Sequence, residues 1–297
     1  SLVEALRELF RRGVDRAERF ALEQPLPDGG RNDWLLLPAW QFGRHMGVKL
    51  VSVYPANQAR GIDSVQGVYL LFDGETGLPL AAIDGAALTL RKTAANSALA
   101  ATWLAREDAA TLVMMGAGAL VPHLVRAHCA VRPIRRVRIW NRTAARAEFA
   151  AAELRDELGI DVAATADPEA AIRVADIVSC ATMATEPLIK GAWLAPGTHL
   201  DLVGGFRADM READDEAVRR ARIFVDARFT ATLAGDISQP LAAGLIADAD
   251  ITDMFELARG QKPGRRSADE ITLFKSGGGG HEDLGTAQHL VSKLPAA

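Results

Sequence analysis

A doubly wound α/β fold on a parallel sheet, joined to a smaller sheet-rich α+β domain, is the fold class this sequence predicts, and three observations carry it. A short apolar run at 112–115 (LVMM) breaks into Gly116-Ala117-Gly118 and leads through a helix-compatible segment to a second strand-like run at 137–140 (VRIW). Downstream, apolar runs at 161–164, 177–181, 199–203 and 223–225 alternate with helix-like segments, the pattern of parallel strands joined by crossovers. Upstream, strand-like runs are separated by short Pro and Gly turns. Residues 97–280 are therefore expected to form a Rossmann dinucleotide-binding domain, and residues 1–96 with 281–297 the second, sheet-rich one.

In chain order, Leu2, Leu6, Leu9 and Phe10 recur at helical spacing with Glu4, Arg7, Glu8 and Arg11 on the other side, which predicts an amphipathic opening helix. The stretch 24–33 (QPLPDGGRND) predicts a loop, and 34–37, 48–54, 66–72 and 79–83 predict strands, the last two joined by the turn 73–77 (DGETG). Lys49 stands inside an otherwise apolar strand, where burial without an anionic partner is costly. Arg91 closes the apolar run 86–90 and is followed by Lys92, Thr93 and an Ala-rich helix, expected over 94–106, that connects the domains. An exposed edge position or a snorkelling side chain is the ordinary alternative for either cation. Val203-Gly204-Gly205 ends a strand where a ligand can approach backbone. Ligands of such sheets sit beyond the carboxyl ends of the strands, which makes Thr182 and the 203–205 turn cofactor-lining candidates. The tail, 271–275, then Gly277 to Gly280 and a short helix, is a return of the chain; its glycines suit a flexible linker or a bend over a ligand.

A glycine turn between strand and helix lets backbone N–H groups approach a pyrophosphate while the helix N-terminus stabilises its charge. Gly116, Ala117 and Gly118 begin that motif, but its third glycine would fall at Val121, so the pair alone also fits an ordinary tight turn. Asn141-Arg142-Thr143 lies about 25 residues beyond Gly116, near where an acidic residue would take the ribose 2′-hydroxyl of NAD. No Asp or Glu stands there, and Arg142, with Arg146 one helical turn on, suits a 2′-phosphate. NADP(H) is thus favoured over NAD(H), the alternative being two solvated arginines at a helix start.

With 49% hydrophobic and 24% charged residues in 297, the chain has the composition of an ordinary globular protein. A net charge of −4 gives no electrostatic reason to expect nucleic acid or an anionic membrane as partner. The two cysteines, Cys129 and Cys180, form no Cys-x-x-Cys pair and the six histidines are scattered, so neither a disulfide scaffold nor a metal site is expected. No signal sequence is evident and no apolar run approaches the roughly 18 residues of a membrane span, so the expected compartment is the cytoplasm. Because Ser1 falls inside a helical pattern, a few residues are expected ahead of it.

Seven blocks, GVKLVSVYPAN, SVQGVYLLFDGETGLPLAAIDG, LTLRKTAANSALAA, MGAGALVPHL, VRIWNRT, HLDLVGG and ITLFKSGGGGHEDL, in that order and spacing, resemble the ornithine cyclodeaminase and mu-crystallin family over almost the whole chain. The resemblance implies a homodimer whose sheet-rich domain dimerises and binds substrate, completed by the C-terminal segment, with a Rossmann domain between. The VRIWNRT block is similar to that of the family's NADPH-dependent ketimine reductases. Positions matching Lys49 and Arg91 hold the substrate's α-carboxylate in the family, assisted by an arginine for which Arg19 is the match. Cofactor positions carry over to Ser64, Ala119, Leu120, Asn141, Thr182, Leu200, Asp201, Leu202, Val203 and Gly277, and Thr93 and Thr143 are further cofactor-binding candidates. One departure matters: where the cyclodeaminases have an Asp directly after the Val-Gly-Gly turn, this chain has Phe206, which cannot transfer a proton. Asp201 is the nearby substitute, although on a strand its side chain can point elsewhere and serve structure.

The function these readings lead to is NADPH-dependent reduction of a cyclic α-imino acid, pyrroline-2-carboxylate or piperideine-2-carboxylate, to proline or pipecolate. Lys49, Arg91 and Arg19 would clamp the carboxylate, with no acidic side chain beside them to expel nitrogen, and the proton would come from water or from Lys49. The alternatives are ornithine cyclodeaminase (ornithine to proline plus ammonia), an amino-acid dehydrogenase, and a non-catalytic protein that holds NADPH and a small ligand.

Overall fold

The computed structural model describes residues 1–294, except for the side chain of Gln58. The chain opens with helix α1 (Leu2–Arg12) and strands β1 (Arg16–Ala17), β2 (Phe20–Pro25), β3 (Arg31–Gln41), β4 (His45–Val53), β5 (Val65–Asp73) and β6 (Pro79–Asp84). Helix α2 (Gly85–Leu104) leads to β7 (Thr111–Met115), α3 (Val121–Val131), β8 (Arg136–Trp140), α4 (Ala144–Leu158), β9 (Asp161–Ala164), α5 (Pro168–Ile172), β10 (Ile177–Cys180) and β11 (His199–Leu202). Then come α6 (Asp215–Arg220), β12 (Ala221–Val225), α7 (Arg228–Ala231), α8 (Gly235–Ala242), β13 (Ile251–Asp253), α9 (Met254–Ala258), β14 (Ile271–Lys275) and α10 (Gly280–Val291). Two compact units divide them, Ser1–Lys92 with the segment from Gly279 on, and Thr93–Gly278, so the chain passes from one to the other inside α2.

The first unit is an antiparallel sheet in the order β1-β3-β4-β5-β6, with β2 paired to β3. Directly paired residues share a face, so Leu37, Lys49, Tyr69 and Ile83 stand side by side. Helix α10 packs on β3, β4, β5 and α1, and its residues from Gly280 to Ala287 are all buried. Helix α1, capped by Ser1, turns Leu6, Leu9 and Phe10 inward, as its periodicity predicts. The glycine tail is a close-packed bend rather than a linker: a Cβ at Gly277 would stand 2.5 Å from the Ala231 nitrogen, and one at Gly280 2.8 Å from the Leu37 carbonyl. The other face of the sheet leaves Phe20, Leu22, Trp34 and Met46 exposed.

Two expectations need correction here. The stretch 24–33 is not all loop, because Gln24 pairs with Asn32 and Pro25 with Arg31 in a hairpin. Every residue of β2 is exposed, so no inside–outside alternation marked it as a strand. The run 86–90 is the start of α2, which begins nine residues before Ala94; the Asp84 carboxylate accepts from the Ala87 N–H at 2.7 Å and caps its first turn.

The second unit is an all-parallel sheet in the order β13-β12-β14-β11-β10-β7-β8-β9. Strands β7, β10, β11 and β14 are buried along their whole length, as a sheet covered on both faces requires. After β7 the chain adds β8 and β9 on one side, then returns to add β10 on the other, so the strand order reverses at β7, where such sheets bind ligands. No helix among the described residues is long and apolar enough to cross a membrane.

Gly47 shows how tightly the first unit is built. A Cβ there would lie 2.1 Å from the Tyr69 hydroxyl and 2.9 Å from the Leu70 carbonyl. Gly47→Ala should destabilise the protein by about 1–3 kcal/mol in denaturant unfolding, as overpacked sites do. Adding Tyr69→Phe should recover part of that loss, and strict additivity of the two changes would contradict the packing account.

Candidate active site

The dinucleotide turn is built as the strand–turn–helix pattern requires. Gly116 has φ +115°, and a Cβ on it would come within 2.7 Å of the Ala181 carbonyl, so glycine is forced there. Gly118 is different: a Cβ on it would meet nothing within 4 Å, and it borders open space into which a ligand can come. Helix α3 follows with no side-chain cap on its N-terminus, leaving backbone donors for an anion. Gly116, Ala117 and Gly118 line a cavity of about 320 Å³ with Trp140, Asn141, Arg142, Arg146, Thr182 and Met183. No acidic side chain lines it, and Arg142 and Arg146 are exposed with no ion pair among the described residues. Ala119 and Leu120 lie in the turn before α3, Thr143 stands at the start of α4 without a capping side-chain hydrogen bond, and Asn141 holds the loop by donating to the Thr143 carbonyl at 3.0 Å.

In the first unit, Lys49 is buried and does not stand alone. Its ammonium lies 2.9 Å from Asp283, with Thr89 at 3.5 Å. Lys92, also buried, lies 2.6 Å from Glu282 and 3.8 Å from Asp283. Two lysines and two fully buried carboxylates thus balance one another, with His281 and the Tyr69 ring beside them. Burial pushes the Lys49 ammonium below the ordinary lysine range, with the attraction of Asp283 opposing it and the charge of Lys92 adding to it. Burial, then the Asp283 charge, pushes the Tyr69 phenol up. The expectation of no carboxylate beside the cations is therefore wrong: Asp283 is in contact with Lys49. Arg91 and Arg19 are exposed and form no ion pair among the described residues. One position along α2 separates exposed Arg91 from buried Lys92, about 100° of helical rotation. Ser64 lies half-buried in the loop before β5.

At the carboxyl ends of β10 and β11, Thr182 and Val203 are half-buried and Phe206 is 39% exposed. Leu200, Asp201 and Leu202 are fully buried, so their side chains belong to the core and not to a ligand surface. Asp201 accepts hydrogen bonds from Ser179 at 2.7 Å and Ser97 at 3.0 Å, with His128 at 3.3 Å. Burial works against its charge, but the bond from His128, the nearby imidazoles and Ser179 hold the carboxyl below its ordinary range. Fully buried and held by three side chains, it has the setting of a structural carboxylate. Thr93 opens the second unit within α2, and Gly277 packs against Ala231 before Gly278 donates to Asp226 at 2.6 Å.

The Ornithine cyclodeaminase/mu-crystallin family pattern matches residues 2–295. The chain belongs to this family. Among family members, the Delta(1)-pyrroline-2-carboxylate reductase of Paracoccus denitrificans is 46% identical over 256 residues, 85% of this chain and 80% of the relative. The solved Thermococcus litoralis Delta(1)-pyrroline-2-carboxylate reductase in complex with NADH and L-proline is similar with a TM-score of 0.89 at 32% identity, covering 98% of this chain and 92% of that one. An archaeal alanine dehydrogenase dimer with bound NAD gives a TM-score of 0.88 at 27% identity, covering 98% and 90%.

Lys92, Glu282 and Asp283 escaped the reading of the sequence. Their signal was two adjacent carboxylates in the tail and a lysine in an apolar strand that required an anion.

If Asp201 serves structure alone, Asp201→Asn should lower stability by about 1–3 kcal/mol through weakened buried hydrogen bonds. The pH profile of kcat/KM should keep its shape. Loss of one limb of that profile would make Asp201 an acid–base group after all.

Proposed function

We propose that this protein is a nicotinamide-dependent reductase of cyclic α-imino acids, with Δ1-pyrroline-2-carboxylate as its first substrate and the six-membered piperideine-2-carboxylate as the second. The observation that carries the proposal is a pairing of features. Cationic side chains suited to an α-carboxylate are present, while Phe206 fills the position where a deaminating member needs a proton-transferring Asp. The names of the Paracoccus and Thermococcus relatives support the same reaction.

The roles divide by the state of each cation. Arg91 and Arg19, exposed and without ion pairs among the described residues, grip the carboxylate, Arg91 with a geometry that suits two parallel hydrogen bonds. Lys49 is held by Asp283 and presents an ammonium whose proton is more easily released than that of an ordinary lysine. It can hydrogen-bond the carboxylate or supply a proton to the ring nitrogen. A bound nicotinamide would supply the hydride. A protonated cyclic imine is already an electrophile, so the protein's main contribution is orientation and exclusion of side reactions. Nitrogen stays in the ring throughout.

The cavity with Arg142 and Arg146 and no acidic side chain supports NADP(H) over NAD(H), although the solved relatives hold NADH and NAD. The apolar face with Phe20, Leu22, Trp34 and Met46 supports association of two copies through the first unit. Asp283 is the one feature that favours a cyclodeaminase, since it is a carboxylate next to Lys49; its complete burial and its bond to that ammonium speak for a supporting role.

Steady-state oxidation of NADPH and NADH with both cyclic imines tests the proposal. Turnover with pyrroline-2-carboxylate is expected, and Arg91→Ala should cost about 2–5 kcal/mol in kcat/KM, as loss of a charge-assisted contact does. Failure to oxidise either cofactor with any cyclic imine would overturn it, as would release of ammonia from ornithine at a comparable rate.

A further inference from the structure

Under the strand ends of the second unit lies a carboxylate that imine reduction does not itself require. Glu212, fully buried, sits between β11 and α6 with its backbone fixed from two directions. Its N–H donates to Asp236 at 2.8 Å, and its carbonyl accepts from Leu188 and Ile189, each at 3.0 Å. The side chain therefore leaves a rigid mount. One carboxylate oxygen accepts from both the backbone N–H and the hydroxyl of Thr182 at 2.8 Å, and the other accepts from the Gly204 N–H at 2.8 Å. Lys275 lies 4.0 Å from it and 3.2 Å from Asp236, so one buried cation is shared by the two carboxylates.

A single carboxylate thus bridges the carboxyl ends of β10 and β11. Backbone pairing between these strands ends with Val203 donating to Cys180 at 2.8 Å, and the glutamate takes over beyond that point. Glycine is forced at 204 by the same arrangement: a Cβ there would lie 2.0 Å from the Thr182 carbonyl and 2.5 Å from the Glu212 carboxylate.

The strand order says which part of a dinucleotide these ends serve. The pyrophosphate turn follows β7, and Asn141 and Arg142, at the adenosine end, follow β8. Strands β10 and β11 lie on the opposite side of β7 from β8, which is the nicotinamide side. We infer that Glu212 is a positioning residue for the nicotinamide half of the cofactor, acting through Thr182 and Gly204. The inference rests on the dinucleotide part of the proposed function and on nothing about the substrate.

Glu212→Gln tests it, because the amide keeps the shape but turns an N–H toward one of the strand-end donors. Wild type and variant are titrated with NADPH and NADH, and with ADP-ribose and its 2′-phosphate, which lack only nicotinamide. The variant should lose at least tenfold in affinity for the dinucleotides, stay within twofold for the fragments, and show a lower kcat at saturating cofactor. Equal loss for dinucleotide and fragment would make Glu212 a merely structural residue and overturn the inference, as would no loss for either. If wild type binds none of these ligands, the dinucleotide reading itself fails. Should Glu212→Gln not fold, Glu212→Asp, which keeps the charge beside Lys275 but is too short to span both strand ends, is judged by the same two outcomes.

Discussion

Two ammonium groups buried in the first unit require two carboxylates, and the chain meets that requirement by sending its last helix back across the sheet. Lys49 from β4 meets Asp283, and Lys92 from α2 meets Glu282. Either lysine buried alone would leave an uncompensated charge, a loss of about 3–5 kcal/mol for each broken pair. The glycines ahead of α10 let the helix seat at all, since Gly280 abuts the backbone of β3. A unit held together this way is inseparable from the chain's end, although almost two hundred residues intervene between Lys92 and Glu282 (190 apart in sequence).

This pairing also shapes the chemistry. A lysine neutralised by its own carboxylate is a weaker anchor for a substrate carboxylate than a guanidinium with no ion pair, whereas the lowered hold of Lys49 on its proton comes from burial and the charge of Lys92, against the pull of Asp283. Arg91, adjacent to Lys92 but turned outward, has the complementary property. The second unit applies the same device: buried Glu212 and Asp236 accept from backbone N–H groups and lie beside the buried Lys275 ammonium.

Much of this was legible in the residues. The parallel sheet announced itself through apolar runs such as 112–115 and 177–180, buried on both faces, and Gly116 marked the strand-to-helix turn. Arg142 and Arg146 were visible because an expected acidic residue was missing. Strand β2 was hidden because it is exposed throughout, and the start of α2 because the short run Ala86, Ala87, Leu88 and Leu90, broken only by Thr89, has no period that separates helix from strand. The ion pairs could not be read because sequence distance conceals which carboxylate answers which lysine. Asp201 misled for a related reason: its position on a strand near the ligand end says nothing about Ser97, Ser179 and His128 converging on it from elsewhere in the fold.

In the proposed reaction, hydride reaches the α-carbon of a cyclic imine while nitrogen never leaves. The most direct measurement is mass and NMR analysis of the product formed from pyrroline-2-carboxylate with reduced cofactor carrying deuterium at both positions of nicotinamide C4. One deuterium per proline at the α-carbon, with no ammonia released, is the predicted result. Proline without deuterium, or a deuterated product that has lost its nitrogen as ammonia, would contradict it.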